Sequence, residues 1–264
     1  MKSAVEHLLL FATTTPMNTR TGIIAAMESE LRDLSASLDH ERTEILAGRE
    51  IHYGNLEGQP VALLLCGCGK VNAALSATLL AGHAQVARIL VTGLSGGLAA
   101  KLNLGDIVIA SSFLQHDMDA RPLFPQHEIP FEGFSLIEAD PVLRQLLSNA
   151  AQEMLVANRL LGSGLEQSKV SEGLVVTGDQ FVSGNEARVH ILKALPSALC
   201  VDMESAAIAQ VCRAAGLPLG VLRVISDNAD GSAHTDFAHF AEHSASRACA
   251  ESVRFALRGM GDVS

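Results

Sequence analysis

Residues 199–230 read LCVDMESAAIAQVCRAAGLPLGVLRVISDNAD, and the expected fold follows from them. Ala198–Met203 is apolar, Ser205–Ala214 has helical spacing, Gly216 stops the helix with Pro218 beyond it, and Leu219–Ile225 is apolar and β-branched. This is the pattern of a βαβ unit. Parallel strands joined by a right-handed crossover would bring Glu204 and Asp227 to the same edge of one sheet, where open α/β sheets bind ligands. Each carboxylate also has a plain structural reading: Glu204 as an acidic residue favoured by the helix dipole, Asp227 as a turn former. The residues alone leave both readings open.

The chain of 264 residues is long enough for a full core, and its apolar runs are spread evenly without a Pro/Ser-rich linker, so one domain over 21–264 is expected. Residues 1–20 hold only a short apolar run, too short for a signal h-region or a membrane span, and read as a disordered extension. A formal net charge of −10 argues against nucleic acid or an anionic membrane as partner and suits a small neutral or cationic ligand. The five cysteines, Cys66, Cys68, Cys200, Cys212 and Cys249, are odd in number and mostly lie in apolar runs, which implies free thiols in a reducing cytoplasm. No metal site is expected, since Cys66 and Cys68 do not form a C-x-x-C pair.

Elsewhere strands alternate with helices. Thr21–Ala26 is a short strand, and a helix beginning at Met27 carries Glu28 and Glu30 in its first turn. A hairpin over Glu41–Leu56 and a buried strand over Val61–Cys66 precede the Gly67-Cys68-Gly69-Lys70 turn, which lacks phosphate-loop spacing. Arg88–Thr92 is a strand ending in Gly93-Leu94-Ser95-Gly96-Gly97, a formal match to the G-x-S-x-G nucleophile elbow. That elbow needs a substantial helix after the serine, which Leu98–Leu102 does not supply, so a glycine floor under a ligand is favoured over a Ser95 hydrolase. After a strand at Asp106–Ala110, Ser111–Ser135 reads as an irregular binding loop containing His116 and Asp117. A strand at Gly173–Thr177 leads to Phe181, either a core aromatic or a stacking platform. A last helix is expected from Phe237 to Leu257. The whole is an α/β fold with a mixed, mainly parallel central sheet.

GIIAAMESEL at 22–31, GKVNAA at 69–74, TGLSGGL at 92–98, GDIVIA at 105–110, TGDQFVSG at 177–184, VDMESAAIA at 201–209 and RVISDNAD at 223–230 occur in one order. Together they resemble the methylthioadenosine/S-adenosylhomocysteine nucleosidases of the purine nucleoside phosphorylase superfamily. The resemblance implies a single-domain three-layer α/β/α fold and hydrolysis of the N-ribosidic bond of a 5′-thio-substituted adenosine, without a cofactor. By the same resemblance Glu30 would activate the attacking water, Glu204 would bind the ribose hydroxyls and Asp227 would protonate or hydrogen-bond adenine N7. Phe181 would stack on adenine with Val182 supplying backbone contacts, Ser226 and Arg223 would support the site, and Met27, Met203 and Phe237 would line the ribose and 5′-thio pocket. Ser95 and Gly96 belong to the glycine floor. A homodimer whose partner helps close the 5′ pocket is also implied.

The chain departs from the family pattern at Leu94, where a hydroxyl is usual, at Cys68, where an aliphatic residue is usual, and in the Ser111–Ser135 loop. These departures bear on the 5′-substituent, for which aminodeoxyfutalosine, 5′-deoxyadenosine or an adenosyl-lipid are alternatives. A phosphorylase and a non-catalytic nucleoside-binding module are the other readings, and the acidic turn at Glu28 and Glu30 disfavours a phosphate nucleophile.

Overall fold

In the computed structural model, residues 19–157, 167–229 and 246–261 are described. Ten strands form one mixed sheet: β1 (Thr21–Ala25), β2 (Asp39–Leu46), β3 (Arg49–Leu56), β4 (Gln59–Leu65), β5 (Arg88–Gly97), β6 (Ile107–Gln115), β7 (Ile137–Glu138), β8 (Val170–Thr177), β9 (Ala198–Asp202) and β10 (Leu219–Asp227). The described helices are α1 (Glu28–Ala36), α2 (Lys70–Gly82), α3 (Pro141–Val156), α4 (Asn185–Ala194), α5 (Ser205–Ala215) and α6 (Ser246–Gly261). The 230–236 turn, Phe237 and the expected start of the last helix lie outside the described residues.

Two helical layers cover the sheet. Ala73, Ala77 and Leu80 of α2 and Ala206 to Ala209 of α5 pack on one face. Leu31 and Leu34 of α1, Leu143 and Leu147 of α3, and Val253 and Leu257 of α6 pack on the other. The buried Leu, Ile and Val side chains among these contribute roughly 1.5–3 kcal/mol each. Helix ends follow their local chemistry. Asp140 caps α3 by accepting from the Val142 and Leu143 amides at 3.0 and 2.9 Å, and Gly216 closes α5 with a left-handed φ of 66°. Cys66, Cys200, Cys212 and Cys249 are buried free thiols, whereas Cys68 is exposed.

The sheet corrects the expected βαβ geometry. β9 and β10 do not pair. Instead β5 pairs with β10 in parallel and with β9 antiparallel, and the circuit closes through β10, β6, β8 and β9. Gly96 is the hinge of this closure, facing Asp227 on one side and Val201 on the other. The carboxyl ends of two oppositely directed strands therefore meet at one residue, which periodicity within a single segment could not disclose.

Two further boundary differences bear on the site. β5 does not stop at Thr92 but continues through Gly97, so Ser95 lies inside a strand and not on an elbow. The glycines that suggested a turn are there for close approach. A Cβ on Gly93 would stand 2.5 Å from Arg223 Nη1 and 2.7 Å from Glu30 Oε1. Likewise Ser111–Gln115 continue β6 with Phe113 fully buried, so the irregular segment begins at His116.

Candidate active site

The strand ends and the turns that follow them enclose a cavity of about 320 Å³, within the usual range for small-ligand pockets. Met27 and Glu30 come from the start of α1, Leu94 to Gly96 from β5, Phe181 and Val182 from the turn after β8, Met203 and Glu204 from the turn after β9, and Ser226 and Asp227 from β10. The described residues among those expected from sequence thus line one space, except Arg223, which stands directly behind it. Glu28 is exposed on the outer side of α1 and does not line the cavity.

Glu30 occupies the N3 position of α1, where a carboxylate can reach back to the helix entry. One oxygen accepts from the Ala26 and Met27 amides, both at 2.9 Å, and the other from the Leu94 amide at 2.7 Å. Its burial pushes the carboxyl above its ordinary range, against the opposing pull of Arg223 and these amides. The residue is held in place and made more basic by the same enclosure.

Glu204 follows β9. Its Oε1 accepts from the Gly69 amide at 3.0 Å, and its Oε2 lies 3.4 Å from Arg223 Nη2. Burial, with Asp202 and Glu30 nearby, raises its pKa although Arg223 resists. Asp202 is the residue that sequence reading passed over, although it lies within the VDMES motif. It is fully enclosed and is the nearer partner of Arg223, at 2.9 Å from Nε. It also accepts from Thr177 Oγ1 at 2.5 Å and from the Ser205 hydroxyl. Arg223 in turn donates to the Ser205 hydroxyl at 3.0 Å and the Leu94 carbonyl at 3.4 Å. Burial alone would lower the pKa of this guanidinium, but Asp202, Glu204 and Glu30 hold it charged. Asp202 and Glu204 share the cation, and both line the cavity.

Asp227 ends β10, buried to 2 % exposure. Its Oδ1 accepts from the Ala229 amide and its Oδ2 from Ser226 Oγ, both at 2.8 Å. Glycine at 96 permits this close approach, since a Cβ would stand 3.1 Å from Asp227 Oδ1. Phe181 is 47 % exposed and therefore a wall of the cavity and not a core residue. A flat aromatic face opposite buried acids can hold a planar base.

The glycine turn after β4 is closed to phosphate. The Gly69 amide is taken by Glu204, and the Lys70 amide by Asp179 at 2.8 Å. The Lys70 ammonium is bound to Asp117 and Gln115 at 2.7 and 3.2 Å. Among the described residues there is no cluster of His, Cys, Asp or Glu suited to a metal ion, and no helix long and apolar enough to cross a membrane.

Residues 20–256 match the family described as the phosphorylase superfamily. Among solved structures, the 5′-methylthioadenosine/S-adenosylhomocysteine nucleosidase of Neisseria meningitidis in complex with methylthio-immucillin-A superposes with a TM-score of 0.83 at 29% identity, covering 91% of this chain and 99% of that one. The corresponding nucleosidase of Streptococcus pneumoniae with a transition-state inhibitor gives a TM-score of 0.80 at 34% identity, with the same coverage of 91% and 99%. The futalosine hydrolase of Helicobacter pylori strain 26695 gives 0.82 at 29% identity, covering 93% of this chain and 100% of its own.

Proposed function

Because the chain belongs to the phosphorylase superfamily and is an N-glycosyl hydrolase like its nucleosidase neighbours, we propose that it releases adenine from 5′-methylthioadenosine and S-adenosylhomocysteine. The observation that carries this reading is the convergence of Glu30, Glu204 and Asp227 on one cavity walled by Phe181. Cleaving the bond from C1′ to N9 leaves positive charge on the sugar and an electron pair on the purine. Glu204, set beside the ribose hydroxyls, stabilises that cation. Asp227 delivers a proton to N7, so the pair departing on N9 is accommodated in neutral adenine. Water then bonds to C1′ and gives its proton to Glu30. Each general acid or base step contributes about 10²–10⁴-fold, and the enclosure that raises the basicity of Glu30 serves its role.

Water is favoured over phosphate as nucleophile on electrostatic grounds. Arg223 is already engaged by Asp202 and Glu204, and among the described residues the charged groups lining the cavity are acids, which repel a phosphate dianion. Val182 and the Ser95–Gly96 floor border the base, Ser226 holds Asp227, and Met27 and Met203 border the sugar and its 5′ group.

A second reading has its own support. The likeness to futalosine hydrolase, with Cys68 and Leu94 on the cavity wall, favours keeping aminodeoxyfutalosine, 5′-deoxyadenosine and an adenosyl-lipid as candidate substrates. The deciding experiment measures adenine release from methylthioadenosine, S-adenosylhomocysteine, 5′-deoxyadenosine and aminodeoxyfutalosine side by side. A kcat/KM for the two thio-nucleosides above the others supports the proposal, and a preference for aminodeoxyfutalosine replaces it with the second reading. We further read the protein as a cytoplasmic homodimer of methionine salvage working without a cofactor.

A further inference from the structure

β6 and β8 run parallel and end in register, Gln115 opposite Thr177. His116-Asp117 and Gly178-Asp179 therefore leave the sheet side by side. The second of these turns carries Phe181. Gly178 is pressed against the His116 ring, where an added Cβ would stand 2.3 Å from Nε2. The Asp117 carboxylate bridges outward in two directions: Oδ1 to Lys70 Nζ at 2.7 Å, and Oδ2 to the Asp179 amide at 2.9 Å. Asp179 Oδ1 closes the circuit by accepting from the Lys70 amide at 2.8 Å. One residue before Lys70 is Gly69, with φ of 96° and its amide on Glu204.

We infer that Asp117 is a positioning residue for the reaction, a clamp joining the turn that carries Phe181 to the turn that orients Glu204; this deepens the nucleosidase reading and rests on it. Both turns need such a clamp. The 178–184 turn follows β8 without regular structure, and the 67–69 turn depends on glycines at positive φ, which are costly to order in an open chain. The bridge is only partly exposed, with side-chain exposures of 18% for Lys70 and 24% for Asp117. It is thus screened less than an open surface pair. Burial raises the Asp117 carboxyl, but the Lys70 ammonium and the Asp179 amide bring it below its ordinary range, as expected for a working ion pair. Gln115 accepts from Lys70 Nζ at 3.2 Å and donates to Gln210 at 2.9 Å, which extends the network to α5.

The test compares wild type, Asp117→Ala, Asp117→Asn and Lys70→Met by two readouts. In the unliganded protein, hydrogen exchange of peptides spanning 66–72 and 178–184 should quicken in Asp117→Ala by about tenfold or more, while the sheet strands keep their protection. Lys70→Met should loosen the first peptide more than the second, because the Asp117–Asp179 bond survives. In turnover, Asp117→Ala should raise KM for methylthioadenosine about tenfold or more with kcat changed less, and Asp117→Asn, which can still accept from Asp179, should recover part of the loss. Wild-type exchange in both peptides of Asp117→Ala overturns the inference, as does an unchanged KM with a loss confined to kcat. Failure of the nucleosidase reading looks different: the wild type itself would release no adenine, while the exchange readout would still decide the role of Asp117.

Discussion

Replacing Arg223 by methionine keeps most of the side-chain volume and removes the charge that Asp202 and Glu204 share. The guanidinium is fully buried, 2.9 Å from one carboxylate and 3.4 Å from the other. At an effective dielectric constant of about 20, each attraction is on the order of 5 kcal/mol. Desolvation of the ions offsets most of that, so the measurable quantity is the cost of orphaning the partners, about 3–5 kcal/mol. For a domain of this size that corresponds to a fall in Tm of roughly 6–20 °C. The loss should depend on pH with a definite sign. Glu204 is raised to about 7 even with Arg223 present, and without the opposing guanidinium it is more readily protonated in the fold. Groups whose folded pKa lies above the unfolded value stabilise fully below that unfolded value, and the contribution is lost as pH rises through the folded pKa. Thermal unfolding of Arg223→Met and wild type at about pH 5 and about pH 8 should therefore show the wider gap at the higher pH. A variant melting within about 2 °C of wild type at both values, or a gap that widens on acidification, refutes the reasoning.

Three other substitutions address the site directly. Asp227→Asn keeps the size of the side chain and both hydrogen-bond partners within reach, so adenine release should fall about 10²–10⁴-fold while Tm stays near that of wild type. Phe181→Ala should raise KM by a factor corresponding to about 1–3 kcal/mol of lost base stacking, measured by steady-state kinetics, with kcat less affected. Gly93→Ala forces a methyl group against Arg223 and Glu30 and should cost about 1–3 kcal/mol or more in denaturant unfolding. Gly82→Ala, which meets nothing within 4 Å at the end of α2, should be neutral or stabilising by up to about 1 kcal/mol.

Much of the site is legible in the sequence because it is built at strand ends. Apolar runs place β1, β5, β8, β9 and β10, and the few residues at or after the end of each include ones that line the cavity. Glu30, Glu204 and Asp227 were identifiable in this way. Their meeting point was not. The β5–β9 closure pairs Gly96 and Gly97 with Val201 and Cys200, a contact between segments far apart in the chain that no local period encodes. The extension of β5 through Gly97 was obscured for a related reason, since glycine in a strand resembles a turn until the group pressed against it is known. Asp202, inside the VDMES motif, and Asp117, read as part of an irregular loop, were given no role because a lone acidic residue is unremarkable. Only the opposing Arg223 and Lys70 give them a role.

The central claim is that water, and not phosphate, attacks the sugar in a cavity bordered by Glu30, Glu204 and Asp227. It is tested most directly by mass spectrometry of the sugar formed from methylthioadenosine in ¹⁸O-labelled water containing phosphate. The account predicts one labelled oxygen at C1 of free methylthioribose, at a rate independent of phosphate concentration. A sugar 1-phosphate as product, with no label at C1 and turnover that requires phosphate, would contradict it.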